Sequence, residues 1–183
     1  MILPVYAYGH PTLRKKGETI DANYPNLDQL IENMYETMYA SNGIGLAAPQ
    51  VGYSIRLFIV DGSPIEGIEP LNFKQTFINP VIVKEWGEEW KYEEGCLSIP
   101  TIRENVSRQP ELTIKYFDEQ FVEHEKSYKG MAARIIQHEF DHIEGKLFID
   151  HISPLKRNLL KGKLNNISIG NVRHDYKMRF LKK

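Results

Sequence analysis

Gly130-Met-Ala-Ala-Arg-Ile-Ile-Gln-His138-Glu139-Phe-Asp-His142-Ile-Glu-Gly145 is the stretch whose reading decides the fold. Its apolar positions recur at helical spacing and Gly145 supplies a natural stop, so a helix is expected across it. His138 and His142, four apart, then share one face with Cβ atoms about 5–6 Å apart, close enough to chelate one metal ion. Glu139 sits beside the first histidine, where it can reach a water on the metal without binding the metal itself. The pattern outlines a water-activating site. The competing reading is a pair of histidines packed on a core helix.

Working outward, 112–117 and 121–128 flank Asp118-Glu119-Gln120 as two strands of an antiparallel hairpin. A strand is expected at 77–83, with Pro80 demanding an edge position or a bulge, and an apolar strand at 55–60. Residues 62–74, rich in Gly and Pro, read as a surface loop. An amphipathic helix covers 26–40, with Leu27, Leu30, Ile31, Met34 and Met38 as its stripe, Asn26 as N-cap and Ser41-Asn42-Gly43 as its end. Downstream, 147–149 reads as a short strand. Ser153 and Pro154 then open a last helix, with Leu155, Leu159, Leu160 and Leu164 along one face and Lys156, Arg157, Lys161 and Lys163 decorating it. The expected fold is one α+β domain over 1–183, with antiparallel sheets around a central metal-binding helix and a basic C-terminal helix and tail at 153–183.

Length and composition agree with one soluble domain: 183 residues, 42% hydrophobic and 26% charged. Met1-Ile-Leu-Pro-Val is too short and proline-interrupted for a signal peptide, and no apolar run reaches membrane-spanning length. Cys96 is the single cysteine, which suits a reducing compartment, so a cytoplasmic location is expected and no membrane partner. The net charge of −1 hides an asymmetry, because residues 151–183 hold nine Lys/Arg against one acid and the rest holds fourteen against twenty-three. A basic tail on an acidic body suggests an anionic partner, and equally suits a solvated tail.

Two histidines rarely make a catalytic metal site, so the identity of the third ligand decides the enzyme class. The metzincin pattern places a third histidine three residues after the glycine, where this chain has Phe148. No glutamate follows Glu144, and Asp150 lies in an apolar turn region. Cys96, in Glu94-Gly-Cys-Leu97-Ser98, is the strongest remaining candidate. A free cysteine is more often a small buried hydrophobe, but its co-occurrence with the two histidines favours a His-His-Cys site with a fourth position open for water. Gly43-Ile-Gly45-Leu-Ala-Ala48-Pro-Gln50 formally matches a dinucleotide fingerprint, yet it follows a helix, meets Pro49 and enters a strand, which excludes that reading. Its glycines suit close backbone approach of an extended peptide, or a turn without ligand.

Three segments, Gly43 to Gln50, Glu94 to Ser98 and Gln137 to His142, together resemble the peptide deformylase family, in its order and without a gap. Weaker similarity includes Pro11, Leu13, Arg14, Asn79-Pro80 and 145–148, and fades over 62–74 and beyond about 165. The resemblance implies a metallohydrolase that removes the formyl group from N-formyl-methionyl nascent peptides and releases formate. It implies Cys96, His138 and His142 as ligands of one divalent metal ion, Fe²⁺ as the physiological ion with Zn²⁺ or Ni²⁺ as isolated, and Glu139 as general acid/base. Gln50 and the Leu97 N–H would stabilise the oxyanion, and the backbone of Gly43, Ile44, Gly45 and Leu46 would hold the substrate as an added strand. Ile44, Tyr92 and Met131 would line the methionine slot, and Glu94 with Arg103 would form a supporting ion pair. Arg134, one helical turn before His138 on the same face, is expected at the pocket rim, the competing reading being a surface arginine. The basic C-terminal helix resembles the segment with which bacterial members approach the ribosome; no DNA partner is implied. The competing readings are a zincin-like peptidase with the same ligands, and a ribosome-associated RNA-binding module with a structural metal. Glu139 is superfluous in the second.

Overall fold

Helix α2 (Gly130–Ile143) is the second of three helices and the one on which the rest packs. It contains no proline, and Ala132, Ala133, Ile136 and Ile143 are fully buried along it. Its end is chemical: Gly145 takes φ +72, where a Cβ would lie 2.7 Å from the Arg14 carbonyl oxygen, and the Lys146 N–H turns back to the Asp141 carbonyl at 2.8 Å. Only glycine fits that position.

Residues 1–65 and 73–181 of the computed structural model are described here; most of the loop expected at 62–74 lies outside them. In chain order the strands are β1 (Val5–Tyr6), β2 (Gly45–Ala47), β3 (Leu57–Asp61), β4 (Lys74–Trp86), β5 (Trp90–Cys96), β6 (Ile99–Arg108), β7 (Glu111–Phe117), β8 (Glu123–Lys129) and β9 (Met178–Arg179). A five-stranded antiparallel sheet has the order β2-β3-β4-β7-β8, so β2 is an edge. β5 and β6 form a separate antiparallel hairpin, and β1 pairs with β9 in parallel.

Strand β3 shows how the layers are made, because all five of its residues are buried. Phe58 and Val60 point to the cluster under α2, which also holds Phe77, Leu112, Ile114 and Ile136. Leu57 and Ile59 point to the opposite cluster, where α1 (Leu27–Ala40) lays Leu30, Ile31, Met34 and Met38 against the other face. The sheet is thus covered by α1 on one face and α2 on the other, and β3 reads as a continuous apolar run. The outer side of α2 meets the β5–β6 hairpin. A third cluster joins Ile99, Ile102 and Val106 of β6 to Leu147, Phe148 and Ile149 and to Leu164 and Ile167 of α3 (Pro154–Ser168).

Several expectations are corrected. Asn26 stands at the N-cap position of α1 but with φ 55 and no side-chain cap bond. The bulge expected at Pro80 is present, within a central strand, with the register shifting between Ile78 and Val81 and Asn79 at φ 49. The segment at 147–149 is not a strand: Phe148–Asp150 is a 3₁₀ turn, because the Asp150 carboxylate accepts the Leu147 N–H at 2.8 Å and folds the chain back. Ser153 does cap α3, accepting the Lys156 N–H at 3.3 Å. The leucine stripe of α3 is split: Leu164 is buried, Leu155 and Leu159 are 70% and 75% exposed. No helix among the described residues is long and apolar enough to cross a membrane.

Candidate active site

The three candidate ligands come from two elements that the fold presses together. His138 and His142 project from one face of α2, and Cys96 ends β5 where the hairpin register breaks between Gly95 and Cys96. The Cys96 Sγ lies 3.3 Å from His142 Nε2, and one donor atom from each of the three residues falls within 4.8 Å of the others. A sulfur and two imidazole nitrogens so placed are a donor set that would suit a divalent transition-metal ion. Asp150, weighed as a ligand, is instead paired with Arg14 at 2.5 Å.

His138 is oriented by its second nitrogen, since Nδ1 bonds the Glu94 carboxylate at 3.0 Å and leaves Nε2 to the site. Glu94 also accepts from Arg108 Nε at 2.7 Å, Arg108 Nη2 at 3.0 Å and Arg134 Nη1 at 2.6 Å. Arg108 continues to Asp141 at 2.9 Å, and Asp141 meets His151 Nε2 at 2.7 Å. The expected Glu94–Arg103 pair does not form. In the β5–β6 register Arg103 lies opposite Gly95, on the face away from Glu94, and its Nε bonds Glu93 at 2.9 Å instead. Arg134 is not at the rim either. It is 2% exposed, with its guanidinium bonded to Glu94 and to the Val106 and Trp90 carbonyls and stacked 4.2 Å from the Trp90 ring.

Burial raises the Cys96 thiol pKa, but the charges and hydrogen bonds of His142 and His138 outweigh it and bring the value down to about 5, which favours the thiolate. Burial acts the other way on Glu139, where it outweighs the attraction of His138 and His142 and lifts the carboxyl to about 7. A carboxyl near neutrality can take and return a proton. Glu139 Oε2 and His142 Nδ1 have no hydrogen-bond partner among the described residues. Glu94 is desolvated too, but His138 and Arg108 hold its pKa far below the usual carboxylate range.

A cavity of about 550 Å³ opens onto these groups and is lined by Gly43, Ile44, Gly45, Gln50, Tyr92, Leu97, Arg103, Met131 and Arg134 as well as Cys96, His138 and Glu139. Leu46, expected to serve through its backbone, has its side chain fully buried towards α1. Gly45 explains its own lack of a side chain: a Cβ there would fall 2.5 Å from Glu139 Oε1. Gln50 is locked by the Ala47 N–H, which donates to its Oε1 at 2.9 Å, so that Nε2 points to Ser98 Oγ at 3.2 Å and Cys96 Sγ at 3.5 Å. Sequence reading missed Arg108 and His151. The one available signal was an arginine closing the alternating β6 pattern at a buried position.

The polypeptide deformylase family model matches residues 2–158. The peptide deformylase of Christiangramia forsetii is 53% identical over 189 aligned positions, covering 98% of this chain and 96% of that one. That of Salinibacter ruber is 46% identical, covering 96% and 93%. Among solved structures, the peptide deformylase of Legionella pneumophila superposes with a TM-score of 0.81 at 37% identity, over 91% of this chain and 95% of that one. The Ehrlichia chaffeensis enzyme in complex with actinonin gives 0.82 at 32%, over 90% and 96%.

Proposed function

The chain belongs to the polypeptide deformylase family and is an enzyme that removes the N-formyl group of nascent polypeptides; we propose that Cys96, His138 and His142 hold one divalent metal ion for this reaction and that Glu139 moves the proton. The single observation that carries the reading is the convergence of these three donors beside a buried carboxyl poised near neutrality, in a cavity bordered by a free sheet edge. The ion, Fe²⁺ in the cell with Zn²⁺ or Ni²⁺ as substitutes after isolation, supplies Lewis acidity that acidifies water and polarises the formyl carbonyl.

This chain's residues do the rest. Glu139 accepts the proton of the attacking water and delivers it to the departing amine. The Gln50 side-chain amide and the Leu97 N–H donate to the oxygen on which negative charge grows. Backbone groups of Gly43 to Leu46, on and beside edge strand β2, pair with the extended substrate, and Ile44, Tyr92 and Met131 bound an apolar slot for its methionine. Arg134 acts by holding Glu94, which fixes the His138 ring. The reaction belongs in the cytoplasm, where nascent chains leave the ribosome, and the cations of α3 offer a surface for ribosomal RNA.

The test compares a formyl-Met peptide with its acetyl-Met twin, using protein prepared without oxygen and assayed for metal. Formate release from the first and no cleavage of the second is expected. Cleavage of internal bonds without formate would sink the assignment.

A further inference from the structure

The turn that carries the Leu97 N–H is held from outside the motifs. Tyr176, in the segment after α3, donates its hydroxyl to the Leu97 carbonyl at 2.7 Å, and the Tyr8 N–H donates to the Ser98 carbonyl at 2.8 Å. Tyr176 stands just before β9, which pairs with β1 through Val5 N–H to the Lys177 carbonyl and Ala7 N–H to the Arg179 carbonyl, both at 2.9 Å. The two chain ends therefore form a strap, and each side of it sends one hydrogen bond to the turn between β5 and β6. Met178, Phe180 and Val172 anchor the strap on the third apolar cluster, against which Cys96 also packs.

We propose that Tyr176 is a positioning residue for deformylation, fixing through the Leu97 carbonyl the direction of the Leu97 N–H. Two planar peptide units meet at the Leu97 Cα. Tyr176 holds the second of these, and Cys96, anchored through its side chain, holds the start of the first. With both ends held, the N–H is aimed before substrate arrives, which is the condition for a donor to stabilise developing charge without reorganising. The proposal rests on the reading of Leu97 as an oxyanion donor, so the test has one arm that does not depend on catalysis.

Tyr176→Phe removes one oxygen and keeps the ring. In the metal-loaded protein it is expected to lower kcat on a formyl-Met peptide about tenfold, with KM within about twofold and metal content as in the parent. In the zinc-loaded form, NMR is expected to show faster exchange of the Leu97 amide, and in the parent a slowly exchanging Tyr176 hydroxyl proton that needs no variant to observe. A lower thermal midpoint with kcat per folded molecule and Leu97 exchange unchanged would overturn the proposal, as would a fast-exchanging hydroxyl in the parent. Faster Leu97 exchange in a chain that releases no formate at all would leave Tyr176 as the holder of the turn and remove deformylation instead.

Discussion

Helices α2 and α3 are almost the same length, fourteen and fifteen residues, and both carry apolar residues at helical spacing, yet nine side chains of α2 are buried against two of α3. Periodicity states which residues share a face; it does not state whether another element lies over that face. Helix α2 is enclosed by the sheet on one side and the β5–β6 hairpin on the other, which keeps its two imidazoles and carboxyl, with the Cys96 sulfur of β5 beside them, away from bulk water. Helix α3 touches the body through Leu164 and Ile167 and leaves Leu155 and Leu159 in solvent among its lysines. The first helix is built to shift the chemistry of its side chains, the second to present them.

The largest effects should come from the enclosed helix. Glu139→Ala should lower kcat by about 10²–10⁴ while the protein keeps its metal, because in the proposed reaction the residue moves protons and is not a ligand. Cys96→Ala should lose both metal and activity. Metal analysis beside a formate assay checks the pair, and retention of activity in either variant would break the contrast between the helices.

Next comes the network behind His138. Glu94→Leu leaves Arg134 without a carboxylate partner and Arg108 with Asp141 alone in a buried site, and should cost about 3–5 kcal/mol in urea unfolding. The sign of its pH dependence follows from the same contacts. The folded-state pKa of Glu94 is depressed, so its contribution is present above the ordinary value of 4.5 and is lost as pH falls below it. Unfolding free energy of the metal-free protein should therefore decline with acid below about 4.5, and the slope should flatten in the variant.

Gly45→Ala probes the approach of β2 to α2. The added Cβ collides with the Glu139 carboxylate, which must swing away from the site. A displacement of this kind costs about 10² in kcat, with the fold intact by circular dichroism. A rise in KM alone would mean that Gly45 serves only the approach of substrate.

The same comparison explains what was legible in the sequence. Short-range order was plain: α2 ends at a glycine that only glycine can fill, and its two histidines share a face because the helical repeat puts them there. Cys96 followed from elimination, since its competitors were absent from the sequence or failed on spacing. Pairings across a hairpin were not legible, because they depend on which residues stand opposite. Register decides that Glu94 faces Arg108, fourteen residues on, whereas Arg103 shares the other face with Glu93. The turn at 148–150 was misread for a related reason: Leu147-Phe-Ile149 has strand composition, but one carboxylate from Asp150 captures the Leu147 N–H and outweighs it. Tyr176 lay farther still from prediction, since its contact with Leu97 spans 79 residues and exists only because β9 closes on β1.

The smallest effect belongs to α3. Leu155→Ser with Leu159→Ser removes two leucines that cover nothing, so unfolding free energy should change by no more than about 0.5 kcal/mol, against about 2–5 kcal/mol for Ile136→Ala in α2. Chemical denaturation of the three proteins sharpens the contrast or ends it: a double variant as unstable as Ile136→Ala would mean that α3 is covered after all. The leucines then have a use only if a partner meets the helix. Around them stand Lys156, Arg157, Lys161 and Lys163, and an RNA surface engaging these would release counterions, so that affinity for ribosomes falls steeply as salt rises. Lys161→Glu with Lys163→Glu should weaken ribosome binding and flatten its salt dependence while kcat on a free formyl peptide stays at the parent value, because neither side chain reaches the cavity lined by Cys96, His138 and Glu139.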